Sequence, residues 1–127
     1  MKRILLVNDS KELLQLMSTL LQAQGYEPLL RSYPILNLNM IIALRPDLII
    51  LDIVFGNQQA IGWSMLDLLK LSPSTASIPV IVCTAAIKEV LEQQDYLATQ
   101  GVRVLFKPFL VDAMLDAIKS ALATVED

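Results

Sequence analysis

The sequence predicts one α/β domain in which five strands alternate with five helices and form a parallel sheet covered on both faces. Three observations lead there. The runs ILLV, LIIL, VIVC and VLF are short, uninterrupted and aliphatic, the pattern of strands buried on both faces. Between them, apolar residues recur at helical spacing. Each run is followed directly or within two residues by a polar, chemically capable side chain: Asp9, Asp52, Thr84 and Lys107.

The first strand covers residues 4–7. Residues 10–24 carry Leu13, Leu14, Met17, Leu20 and Leu21 on one helical stripe, with Ser10 or Asp9 as N-cap and Gly25 as the stop. A short second strand spans 27–31. The second helix is expected within 34–44, with Pro34 in its first turn, and Arg45-Pro46-Asp47 ends it. The third strand runs over 48–53. After a polar loop, residues 63–71 have helical spacing at Met65, Leu66 and Leu69, all core positions, and stop before Pro73. The fourth strand is 80–84, the fourth helix 88–100 with Gly101 behind it, and the fifth strand 102–106. The last helix follows Pro108 and covers 110–125. No linker, repeat or low-complexity segment interrupts the pattern, so a single domain over 1–127 is expected.

Composition narrows the function. An apolar fraction of 54% with 18% charged residues favours a packed core over disorder. The net charge of −3 and the lack of a Lys/Arg block argue against direct nucleic-acid binding. No apolar stretch approaches the roughly 20 residues needed to cross a bilayer, and no secretory h-region follows Met-Lys-Arg. The single cysteine, Cys83, lies inside an apolar run and reads as a buried thiol, in keeping with a reducing cytoplasm. The absence of histidine excludes His-based acid–base catalysis and His-ligated zinc, and leaves oxygen ligands and a hard cation.

Residues at the carboxyl ends of parallel strands gather at one edge of the sheet, where such sheets keep their active crevices. Two carboxylates, a hydroxyl and an ammonium delivered there make an acidic, cation-binding pocket containing a nucleophile. An aspartate after a strand more often caps a helix or forms a turn. Asp52 differs, because Ile53 and Val54 continue the apolar run around it and a buried charge needs a reason. For Asp9, capping and metal binding are compatible. Thr84 or Lys107 alone would be an ordinary strand-end side chain. Trp63 reads as a packing residue at a helix start, and Lys88, Glu92, Gln93 and Lys119 read as solvated faces.

Taken in order, ILLVND, LIILD, VIVCTAA and LFKPF, each closing a predicted strand, resemble the receiver domain of bacterial two-component response regulators, the CheY-like group. The resemblance covers the whole chain, stand-alone or excised from a longer protein. It implies a doubly wound, flavodoxin-like sheet of order 2-1-3-4-5, in which Asp9 and Asp52 face each other across the topological switch point. It further implies that Asp52 accepts a phosphoryl group from a histidine kinase or phosphotransfer protein. Mg²⁺ would be held by Asp9, Asp52 and the backbone carbonyl of Val54, with Asn8 acting weakly through a water. A cation there offsets the repulsion between a carboxylate nucleophile and a phosphoryl group. Lys107 and Thr84 would contact the phosphoryl oxygens. Such a protein catalyses only its own phosphorylation and dephosphorylation. It signals by protein contact through the face of the fourth helix, fifth strand and fifth helix, in the cytoplasm, without nucleic acid or membrane, and is compatible with a homodimer.

Three positions depart from the family pattern. Asn8 stands where the first of two acids is usual, so weaker Mg²⁺ binding is expected. The loop from Val54 to Gly62 is about two residues longer than usual, with Gly62 as the glycine before the third helix. Val104, three residues before Lys107, replaces an aromatic side chain that normally rotates inward on activation. Any signal would then pass through Thr84 and the loop Ala85-Ala86-Ile87. These departures motivate an alternative, a pseudo-receiver used as a phosphorylation-independent docking module. A flavodoxin-like enzyme or nucleotide binder is a weaker third reading, since the four glycines do not cluster into a phosphate loop.

Overall fold

Five parallel strands, β1 (Arg3–Val7), β2 (Glu27–Arg31), β3 (Leu48–Leu51), β4 (Val80–Thr84) and β5 (Arg103–Phe106), pair in the order β2-β1-β3-β4-β5. The structure is a computed structural model and describes residues 1–55 and 60–126. Its helices are α1 (Lys11–Ala23), α2 (Leu38–Leu44), α3 (Ala60–Leu71), α4 (Ile87–Glu92), α5 (Gln94–Thr99) and α6 (Val111–Glu126). The expected doubly wound α/β architecture and strand order are present.

The sheet is buried on both faces, which explains why its central strands lack polar alternation. Leu5, Val7, Ile49, Leu51, Val80 and Val82 face a core completed by Ile41, Met65, Leu66, Leu69, Val90 and Leu97 from α2 to α5. Ile4, Leu6, Leu48, Ile50, Ile81 and Cys83 face a second core, closed by Leu14, Met17 and Leu21 of α1 and Met114, Ile118 and Leu122 of α6. The residues of α1 and of α6 recur every three or four positions, one buried stripe per helix.

The pairing sets the functional edge. Val7 lies opposite Leu51, so the residues after β1 and β3 emerge side by side. The Asp52 amide donates to the Val7 carbonyl at 2.9 Å, carrying the pairing one residue beyond β3. Strand β3 nevertheless ends at Leu51, not at the expected residue 53, because the Val54 amide turns back onto the Asp52 carboxylate at 3.1 Å.

Several helix boundaries correct the sequence reading. Ser10 is the cap of α1, with its hydroxyl oxygen accepting from the Leu13 amide at 3.2 Å. Helix α2 starts at Leu38, and Pro34 lies outside it, because Asn37 takes the cap by accepting from the Met40 amide at 3.2 Å. Helix α3 begins at Ala60, so Gly62 sits within its first turn instead of before it. There a side chain would meet the Ile53 backbone, its Cβ running into the Ile53 carbonyl oxygen. The single fourth helix expected over 88–100 is two helices joined at Gln93. Val90 anchors one half in the core and Leu97 the other. No glycine or proline marks that joint, so the apolar periodicity runs through it unbroken.

Candidate functional site

Asp52, 5% exposed, leaves the sheet between the ends of β1 and β4. Its Oδ1 accepts from the Val54 amide at 3.1 Å, a local turn that fixes the carboxylate plane. Its Oδ2 pairs with Lys107 Nζ at 2.9 Å. Lys107 follows β5 and is held by its own amide, which donates to the Thr84 carbonyl at 2.9 Å. Thr84 closes β4 opposite Phe106 and is wholly buried. The Thr84 Oγ1 accepts from the Ala86 amide at 3.0 Å, and a hydroxyl that accepts one bond keeps its proton to donate.

Asp9, exposed after β1, joins Asp52, Val54, Ala85, Ala86 and Lys107 around a cavity of about 400 Å³. Two carboxylates and one ammonium leave this pocket net negative. Its oxygen donors suit a hard cation that keeps part of its water shell, and Mg²⁺ has that preference. Among the described residues no group of three His, Cys, Asp or Glu side chains is placed to hold a metal ion by itself. The donor set thus relies on two carboxylates, main-chain oxygen and solvent.

Asn8 sits in the turn between β1 and α1. It is 5% exposed, its Oδ1 accepts from the Ser10 amide at 2.8 Å, and it is not among the residues lining the pocket. That bond ties Asn8 to the turn that launches α1 and uses one of the two lone pairs of its oxygen. Beneath the pocket, Cys83 faces the opposite core, and burial pushes its thiol up to about 12, with Lys107 lowering and Asp52 raising it.

Sequence reasoning brought Asp9, Asp52, Val54, Thr84 and Lys107 to one edge, and the structure places them there. Ala85 and Ala86, which the sequence marks only as part of a signalling loop, also line the cavity. An apolar cavity of about 450 Å³ between α1 and α6 was not foreseen. Leu13, Leu16, Met17, Phe109 and Met114 help to line it, and it shares Ala85 and Lys107 with the acidic pocket. Its signal lay in Leu16, an exposed apolar residue outside the buried stripe of α1. Of the lengthened loop expected from Val54 to Gly62, residues 56–59 lie outside the described residues and Ala60 to Gly62 belong to α3. Val104 lies opposite Val82 and packs against the α2–α5 core, and Phe106 packs there too, two residues along the same face.

The profile of the response regulator receiver domain family matches residues 4–119. The chain belongs to this family. Among curated proteins it is 29% identical over 122 residues to the DNA-binding dual master transcriptional regulator RpaA of Synechocystis sp., covering 96% of this chain and 49% of that protein. The chain thus spans about half the length of that relative. Among solved structures, the N-terminal domain of a response regulator receiver protein from Methanoculleus marisnigri shares 30% identity at a TM-score of 0.66, covering 95% of this chain and 96% of that one. The chemotaxis protein CheY4 of Vibrio cholerae matches in fold with a TM-score of 0.77 at 23% identity, covering 96% of this chain and 99% of that one. As a receiver, the chain is part of a two-component signalling family and not a classical enzyme. No helix among the described residues is long and apolar enough to cross a membrane.

Proposed function

We propose that this receiver accepts a phosphoryl group on Asp52 from a histidine kinase or phosphotransfer protein and signals by protein contact. The observation that carries the reading is the buried Asp52 carboxylate, held by Lys107 at 2.9 Å on the floor of a pocket that Asp9 also lines. A carboxylate this buried, fixed by one amide and one ammonium but open to a cavity, is placed as a nucleophile and not as a surface charge.

Asp9, Asp52 and the Val54 carbonyl are the residues that would hold Mg²⁺. The ion, when bound, neutralises charge between the carboxylate and the incoming phosphoryl group. Attack by a carboxylate oxygen of Asp52 forms the acyl phosphate and leaves the donor's nitrogen with the electron pair of the broken P–N bond. Lys107 then exchanges its carboxylate partner for a phosphoryl oxygen, and the Thr84 hydroxyl donates to another. Because Thr84 Oγ1 also accepts from the Ala86 amide, movement of the hydroxyl pulls on the start of α4. With Val104 in place of an aromatic, that main-chain link is the route by which phosphorylation reaches the α4, β5 and α6 face. Ile87 and Leu91 of α4 are exposed there for a downstream protein or a second copy. The reading carries with it Mg²⁺ as cofactor, one receiver domain over 1–127, a cytoplasmic setting, and no direct contact with nucleic acid or membrane.

Treatment with acetyl phosphate and Mg²⁺ tests it. A single phosphoryl mass gain, labile to hydroxylamine and absent from Asp52→Asn, supports the reading. No gain under conditions that label an ordinary receiver refutes it. Partner binding unchanged in Asp52→Asn would instead point to a phosphorylation-independent docking module.

A further inference from the structure

A second concave site lies away from the phosphoryl pocket. Where α3 meets the joint between α4 and α5, Trp63, Asp67, Glu89, Glu92, Gln93 and Tyr96 line a cleft of about 210 Å³. Carboxylates alone on two neighbouring helices would mark a solvated face. The aromatic side chains are a separate feature. Trp63 and Tyr96 each pack one side against the α2–α5 core and contribute the remainder to the cleft. A half-buried ring with acidic neighbours attracts a cation through its π face, and a planar guanidinium stacks on it better than an ammonium.

Among the described residues no cation meets the cleft's charge. Tyr96 donates its hydroxyl to Asp67 at 3.5 Å, a neutral partner, and no ion pair to Asp67, Glu89 or Glu92 occurs among the described residues. Lys70, on the same helix as Asp67, spends its ammonium on the Ala76 and Ile78 carbonyls at 3.1 and 3.0 Å. Three carboxylates beside two aromatic side chains therefore await a cation from outside.

We propose that this cleft is an interaction surface that takes an arginine side chain of a partner protein. The guanidinium plane lies against Trp63 or Tyr96, and its N–H groups donate to Glu89, Glu92 and Asp67. Size and charge agree, since the cleft admits one side chain and offers several acceptors to a group with only donors. The site also bridges α3 and both halves of the broken helix, so an occupant would fix the joint at Gln93. The proposal does not depend on phosphorylation of Asp52.

Trp63 is the only tryptophan in the chain, so its fluorescence reports the cleft itself. The test titrates the unphosphorylated protein with the capped peptide Gly-Arg-Gly, with the Gly-Lys-Gly peptide, and with the peptide carrying citrulline, a neutral isostere of arginine. The expected result is a saturable change in Trp63 emission with arginine, a weaker one with lysine and none with citrulline. Glu89→Gln/Glu92→Gln, altering side chains outside the core, should weaken the arginine response by about tenfold while leaving far-UV circular dichroism unchanged. Equal responses to arginine and citrulline, or an arginine response undiminished in that folded variant, would overturn the proposal.

Discussion

Replacing Gly62 by alanine tests how tightly the phosphoryl site is bound to the frame around it. Gly62 occupies the first turn of α3, where an added Cβ would run into the Ile53 carbonyl oxygen and lie 2.6 Å from its Cα and 2.7 Å from its carbonyl carbon, against an ordinary contact of 3.4 Å or more. All three atoms are backbone, so no rotamer change relieves the clash, and either α3 or the Ile53 peptide must move. Overpacking of this kind costs about 1–3 kcal/mol, and the missing relief places it toward the upper end. Alanine returns about 1 kcal/mol through its helix propensity. The net loss is about 1–2 kcal/mol, which lowers the urea midpoint by roughly 0.5–1 M for a domain of this size. Ile53 directly follows Asp52, so the same displacement should slow acetyl-phosphate labelling several-fold. Urea denaturation and labelling rates on one preparation measure both effects. A Gly62→Ala protein as stable and as readily labelled as wild type would refute the close approach of α3 to Ile53.

Other outcomes follow from single side chains. Cys83 should resist thiol reagents at neutral pH in the folded protein, and react only on unfolding, as mass spectrometry after maleimide treatment would record. Its folded pKa of about 12 exceeds the ordinary 9.0, so the stability it contributes is fully present below about pH 9 and lost as pH rises toward 12. Cys83→Ala should therefore gain stability relative to wild type across that window, measured as the difference in urea midpoints. Lys70→Met removes an ammonium that donates to two carbonyls in the α3–β4 connection, and should destabilise by about 1–3 kcal/mol in thermal or urea unfolding. Asn8→Asp restores an acid beside Asp9 and should tighten Mg²⁺ binding several-fold by fluorescence or calorimetric titration.

Much of this fold was legible because its strands are buried on both faces, which leaves unbroken aliphatic runs and puts every strand-end polar residue on one edge. Asp9, Asp52, Thr84 and Lys107 could be grouped from sequence for that reason alone. The boundaries that moved were decided by side chain–backbone bonds or close approach. Asn37 takes the α2 cap that Pro34 had suggested further upstream, and Gly62, expected before the third helix, lies inside α3 where only a hydrogen fits against Ile53. The joint at Gln93 carries no residue that breaks a helix, so periodicity passes over it. Glu92, Gln93 and Trp63 were each read singly, as solvated or packing residues. Their convergence with Asp67, Glu89 and Tyr96 depends on how α3 meets α4 and α5, which neither spacing nor composition encodes. Lys70 is similar: its burial, which lowers its pKa, follows from the turn after α3 folding back over its ammonium.

Phosphoryl acceptance at Asp52 is best measured by following backbone amide resonances during titration with Mg²⁺ and beryllofluoride, a phosphoryl mimic. The predicted result is saturable shifts, requiring both components, at Val54, Thr84, Ala86 and Lys107, extending into α4 and abolished by Asp52→Asn. No saturable shift, or the same shifts in Asp52→Asn, would contradict phosphoryl binding at this site.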